Sequence, residues 1–333
     1  MRTGTRFALV LLGASALSLG CSPANVGGPA SSGPADGSTT ASPTVQSACE
    51  ASAYARCSRL EACSPTALES RFGDIGSCQS IYRQTCINFL TAPSTGATPT
   101  TSAACAAAIP NWACNDYLFD QNIPPACQTA SGPRSNGSTC SVNQQCQSGY
   151  CAFPVNGACG TCDTPMPAGV SCAERVCPLT LTCVSGTLTC AAFAQVGGMC
   201  NGNQPCSEGL TCVAGASAAS GICEQGMLTQ GASCDFTGAG CAFYAGFVCN
   251  AQSSTCQTAA FAGAGEACGL VGNQSVACIA GSCIRGACVT NVPLGGACDI
   301  ARGPPCVESA RCILSSDAGT TGTCQLEGAT LCP

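Results

Sequence analysis

The run GGMCNGNQPCSEGLTC, Gly197 to Cys212, puts a glycine three residues before a cysteine, a second cysteine six residues on, and a third six further behind Gly209-Leu210-Thr211. GSTCSVNQQCQSGYC, Gly137 to Cys151, opens the same way. From residue 133 to the end the pattern recurs with a period of 28 to 34 residues, its first cysteines being Cys140, Cys172, Cys200, Cys234, Cys268 and Cys298. A glycine stands three residues before each: Gly137, Gly169, Gly197, Gly231, Gly265 and Gly295. With 40 glycines in 333 residues, six coincidences in six trials are not composition. Glycine enters left-handed turns that other residues resist, so each unit is expected to be a short β-hairpin or a pair of turns. A unit of about thirty residues cannot bury enough surface to stand alone. Two disulfides closing loops of about twelve residues would add roughly 5–6 kcal/mol on loop entropy. Six such units in series predict a rod or gently curved array with contacts mainly between neighbours. Units five and six depart from the pattern, with nine residues between Cys268 and Cys278, and Ala310 where a glycine-apolar pair stands elsewhere.

The chain has 35 cysteines, no histidine and no lysine. Met1 to Arg6 carries two arginines, Phe7 to Gly20 is apolar or small, and Cys21 follows at once, the pattern of an export leader. Its fourteen-residue apolar stretch is too short to span a bilayer. Leu17-Ser18-Leu19-Gly20-Cys21 resembles the lipobox of bacterial lipoproteins, although Ser18 stands where that family prefers leucine. The resemblance implies cleavage before Cys21 and lipid on its thiol. Cleavage after Ala14-Ser15-Ala16 would instead secrete the chain with an odd thiol. Setting Cys21 aside leaves 34 cysteines, an even number, and so favours the lipid reading. The organisation expected is a signal peptide at 1–20, a lipid anchor and flexible Gly/Pro/Ser tether at 21–46, a helical cysteine-rich domain at 47–128 and tandem cysteine-rich repeats at 133–333. The tether would reach roughly 25–30 Å.

The eight cysteines of 47–128 sit at helical spacings. Cys49, Ala53, Cys57 and Leu60 share one helix face, and Cys78, Ile81, Tyr82, Cys86 and Phe89 share another. Ser64-Pro65 reads as a helix start and Gly73 as its stop. A further helix is expected from Thr98-Pro99 through Cys105 and Ile109, ended or kinked by Pro110. The fold class is therefore small and disulfide-rich: a cross-linked α-helical bundle with four internal disulfides, then short β-hairpin repeats. Trp112, the single tryptophan, is expected in the core.

The repeats resemble the Dickkopf N-terminal cysteine-rich domain as it occurs in exported bacterial proteins of the myxobacterial type, on the two runs quoted above and over about 137–324. That likeness implies a disulfide scaffold; the receptor antagonism of the animal proteins is not carried over.

Two disulfide frames compete. Grouping from each marked glycine, as Cys200, Cys206, Cys212 and Cys223, leaves Cys162 and Cys332 at opposite ends of a rod. Grouping instead from Cys162, as Cys162, Cys172, Cys177 and Cys183, leaves only Cys324 and Cys332 as a terminal clasp. The second frame opens every group with a step of 10 to 12 residues, whereas the first closes its units from Cys183 onward with steps scattering from 5 to 12. The constant spacing favours the second frame, with Cys324 bonded to Cys332 and Cys162 bonded within the group ending at Cys183.

Chemistry-bearing motifs are sparse. Without histidine there is no Ser-His-Asp or Cys-His catalysis and no imidazole metal ligand; without lysine there is no P-loop or Schiff base. Cys159-Gly160-Thr161-Cys162 has redox-pair spacing in a loop-rich setting that favours a structural role. No catalytic residue, metal site or cofactor is expected. Past the leader nine arginines face 17 acids, a net charge of about −8 that offers nucleic acid no basic patch. The expectation is a non-enzymatic outer-membrane lipoprotein, held to the membrane through Cys21 and binding a protein or polysaccharide, or spacing one from the surface. Its variable loops, such as Val213 to Ile222 and Ile313 to Thr323, would carry recognition. The alternatives are a secreted protein and a peptidase inhibitor presenting one rigid disulfide-held loop.

Overall fold

The computed structural model describes residues 42–332 except 129, 155–158, 174–176, 178–180, 185–186, 202–203, 205, 208–209, 215–219, 227–228, 235–239, 251, 316–318 and 327–331. The leader and Cys21 lie outside the described residues, as do the tips of the two variable loops, 215–219 and 316–318. All 34 cysteines from Cys49 onward are paired in 17 disulfides. No described helix is long and apolar enough to cross a membrane.

Five helices form the N-terminal domain: α1 (Val45–Cys63), α2 (Pro65–Phe72), α3 (Ile75–Thr91), α4 (Pro99–Ala108) and α5 (Cys114–Leu118). Helix α1 begins two residues inside the expected tether, because Thr44 caps it in a reciprocal hydrogen-bond pair with Ser47. Ser64 caps α2, whose first residue is Pro65, and Gly73 ends it at φ +81°. Cysteines eight residues apart on one helix are two turns, or about 12 Å, apart along its axis. Cys49–Cys86 and Cys57–Cys78 therefore clamp α1 and α3 antiparallel at two levels. Cys63–Cys114 ties α5 to the end of α1, and Cys105–Cys127 closes the domain without a repeat cysteine. Cys57, Leu60, Leu68, Phe72 and Cys78 make the core. Trp112 is buried as expected, edge-on to Tyr117 and donating its indole N–H to the Gln121 carbonyl at 2.8 Å.

Each repeat unit is a hairpin on a tight turn. All six marked glycines have φ between +77° and +89°, and a Cβ there would meet nothing within 4 Å, so the backbone angle alone selects glycine. The residue after each glycine bonds back to the carbonyl three residues earlier, a type II turn with glycine at its third position. The glycine N–H then donates to the carbonyl of the unit's fourth cysteine at 2.7 to 2.8 Å, as from Gly197 to Cys223. The N–H of that cysteine returns a bond to the carbonyl of the residue after the glycine. Third and fourth cysteines face each other across the hairpin in every unit: Cys151 and Cys162, Cys183 and Cys190, Cys212 and Cys223, Cys249 and Cys256, Cys283 and Cys288, Cys312 and Cys324.

The bonds run first to third and second to fourth cysteine in all six units, as Cys200–Cys212 with Cys206–Cys223 and Cys172–Cys183 with Cys177–Cys190. The frame starting at Cys162 is thus overturned: Cys162 bonds Cys146, Cys177 leaves its expected group for Cys190, Cys324 bonds Cys306, and Cys332 bonds Cys159. The constant step from one unit's fourth cysteine to the next unit's first spans an entry segment hydrogen-bonded in parallel to the second cysteine, as Ala194 to Cys206 and Val292 to Cys306, and then the glycine turn. The variable step is the hairpin loop, whose length changes without disturbing the register at its base. In units five and six Ala280 and Ser309 take the left-handed position that Gly246 holds in unit four, at φ +44° and +67°. The nine residues between Cys268 and Cys278 of unit five, where the other units have four to seven, form a hairpin of their own, Gly269–Val271 with Gln274–Cys278.

The array is not a rod. Cys159 beside unit one is bonded to Cys332 beyond unit six, and the Arg311 guanidinium of unit six lies 4.8 Å from the Phe153 ring. Units one, three, four, five and six all touch the helical domain. Gln145 donates to the Pro93 carbonyl at 2.7 Å, Gln195 pairs with Gln121, and Tyr244 accepts from Arg71 at 3.0 Å. Ala280 N–H reaches the Glu69 carbonyl at 3.2 Å, and Glu308 lies 3.7 Å from Arg71. The repeats wrap the bundle and close on themselves, held there by these contacts and by the Cys159–Cys332 bond.

Peptic digestion without reduction, followed by mass spectrometry, is expected to release peptides joined by Cys146–Cys162 and Cys306–Cys324; a Cys324–Cys332 peptide would contradict this frame. Gly197→Ala is expected to lower stability by about 1–2 kcal/mol in denaturant unfolding, since alanine must be held left-handed.

Candidate functional site

A cleft of about 530 Å³ opens between the helical domain and the two ends of the array. Its helical side carries Arg56 of α1, Tyr82, Phe89 and Leu90 of α3, and the disulfide-bonded Cys86, Cys105 and Cys127; its repeat side carries Asn143 and Gln144 of unit one and Ser309 and Arg311 of unit six. Cross-links set most of these positions. Arg56 precedes Cys57, and Tyr82 lies one helical turn after Cys78, so the Cys57–Cys78 bond fixes both. Arg311 precedes Cys312, whose bond to Cys298 holds the strand Ala310–Leu314 in place.

Among the described residues no carboxylate lines the cleft. The Arg56 guanidinium lies 5.8 Å from the centre of the Tyr82 ring. Burial, reinforced by the Glu308 carboxylate, pushes the Tyr82 phenol well above the usual tyrosine range, so it stays protonated and able to donate. Tyr117 behind it is pushed up to about 12, again chiefly by burial, and its hydroxyl donates to the Arg56 carbonyl at 2.8 Å. Arg71 sits between Glu308 and Tyr244, its guanidinium 5.8 Å from the tyrosine ring.

The structure separates Cys159 from Cys162, which bond to Cys332 and Cys146; the C-x-x-C spacing makes no redox pair. Each repeat gathers sulfurs closely, as at Cys140, Cys146 and Cys151, but all of them are in disulfides and offer no thiolate to a metal. The candidate loops 213–222 and 313–323 run from hairpin strands into tips outside the described residues, and the arginine that reaches the cleft, Arg311, stands at the base of its hairpin. Arg56, Tyr82 and Arg311 were not legible as a site. Tyr82 carried only a helical-face signal, and Arg311 joins the other two only when the array closes.

No protein family, curated protein or solved structure matches this chain.

Native stability is expected to fall as pH rises from about 10 towards 12, because an unfolded tyrosine loses its proton near 10 while Tyr117 in the fold keeps it until about 12. Raised native values give stability that is full below the unfolded value and lost above it. Denaturant titrations across this range should show a shallower decline for Tyr117→Phe.

Proposed function

We propose that the chain is a non-enzymatic, extracytoplasmic binding scaffold, anchored to the bacterial outer membrane by lipid on Cys21, of the cysteine-rich lipoprotein type its repeats resemble. The carrying observation is the bond between Cys159 and Cys332, which closes six stapled units round the helical bundle and shapes one rigid cleft. Seventeen disulfides require an oxidising compartment, in keeping with export. A cleft lined by arginine, phenol and amide side chains, with no carboxylate among the described residues and no histidine in the chain, suits holding a ligand better than transforming one. A rigid wall between two cross-linked domains also keeps the ordering cost of binding low.

Metabolic labelling with a palmitate analogue is expected to tag the wild-type protein, and Cys21→Ser to abolish the label and release the protein from membranes. Unlabelled, wholly soluble wild-type protein overturns the anchor. Stoichiometric inhibition of a serine or cysteine peptidase would replace the scaffold reading with that of an inhibitor.

A further inference from the structure

Acids outnumber bases in this chain, 17 to 11, and several arginines have partners in the fold. Arg71 meets Glu308 and Tyr244, Arg59 donates to the Trp112 carbonyl, and Arg134 donates to the Thr139 carbonyl. Arg56 differs. It is half-buried in the cleft, and among the described residues its guanidinium meets the Tyr82 ring but no carboxylate and no hydrogen-bond acceptor. A cation drawn partly out of water without a counter-charge is costly, and an incoming anion removes that cost. On the unit-six wall the Arg311 guanidinium lies 4.8 Å from the Phe153 ring and so belongs to the wall's own packing. Tyr82 adds a protonated hydroxyl, which makes no hydrogen bond among the described residues, and Phe89 with Leu90 supplies apolar surface. A volume of 530 Å³ is that of a small-molecule site, and a bare inorganic ion would leave its apolar part empty.

We infer that this cleft binds a small organic carboxylate carried on an aromatic or branched apolar body, with the carboxylate on Arg56 and the body against Tyr82, Phe89 and Leu90. The guanidinium fork offers two parallel donors to the two carboxylate oxygens, and the Tyr82 hydroxyl offers a third. The inference rests on the binding-scaffold reading but not on the lipid anchor. The labelling and peptidase assays do not involve the cleft, and ligand binding does not report on Cys21, so the two ideas fail separately.

The test is equilibrium dialysis of the full exported chain, purified in mild detergent so that it stays in solution with or without a lipid anchor and with protein-free detergent as blank, against 4-phenylbutyrate and its uncharged analogue 4-phenylbutanol. The acid is expected to bind saturably, once per chain, and at least about tenfold more tightly than the alcohol, as a charge-assisted pair requires. Arg56→Gln should weaken the acid about tenfold and leave the alcohol unchanged, whereas Arg83→Gln, on an exposed part of α3, should alter neither. Binding of the acid should also fall as the pH drops through the carboxylate range near 4 to 5, where the ligand loses its charge and arginine does not. Acid and alcohol binding equally, a fully folded Arg56→Gln variant binding like the wild type, or no saturable binding up to about 10 mM would each overturn the inference. If Arg56→Gln fails to fold, the comparison of acid with alcohol on the wild type still decides it.

Discussion

Each repeat depends on two sulfur bridges crossing a hairpin whose base is pinned by a glycine turn. The interior of unit one is Cys140, Cys146, Cys151 and Cys162 with Phe153, so the sulfurs are the core. Apolar burial on that scale cannot offset the ordering of about thirty residues. Closing loops of 10 to 18 residues removes roughly 3 kcal/mol of unfolded-state entropy for each bridge. The turn glycine makes this geometry repeatable. Its left-handed φ aims its own N–H at the carbonyl of the fourth cysteine, which fixes where the second bridge must land. Most variation in length is pushed out to the hairpin loop, the inserted hairpin between Cys268 and Cys278 being the exception.

The same bridging logic acts at two larger scales. In the bundle, cysteines two turns apart on α1 meet cysteines two turns apart on α3, reinforcing the small apolar seam that the alanine-rich α1 offers its partner. Across the array, Cys159–Cys332 joins residues 173 apart in sequence. Taken alone, a loop of that length would remove about 5 kcal/mol of chain entropy; the sixteen other bridges already shorten it, so the actual contribution is smaller. Its larger effect is geometric, because it seats unit six against unit one and makes the cleft a place with two fixed sides.

That closure explains why a chain with so few charges can build a charged site. A net charge of −6 spread over 333 residues gives no strong long-range field, yet the wrapping brings Arg56 and Arg311 to one carboxylate-free cleft. Glu308, close by in sequence to Arg311, lies within 3.7 Å of Arg71 and so is balanced there. The meeting of these two arginines in one cleft is a product of chain folding, not of composition.

Much of the local structure was legible from residue order alone. The caps at Ser64 and Thr98, the stop at Gly73, the buried face of α1 and the six left-handed glycines are set by contacts within a few turns of chain, and the even cysteine count of the helical domain allowed its self-contained bridging. Pairing within the repeats was legible in number but not in frame. Regular spacing marks any rigid segment, and here the rigid segment was the hydrogen-bonded connection between units, while the bonded hairpin tolerated loops of any length. The closure was beyond reach of the sequence, since a linear array gives no sign that Cys159 will find Cys332. It depends on many small contacts, such as Gln145 with Pro93 and Tyr244 with Arg71, that curve the repeats round the bundle. Local periodicity and parity determined the pieces and the even count of thiols; only tertiary packing, which sums weak contacts over the whole chain, decided which ends would meet and which arginines would share a cleft.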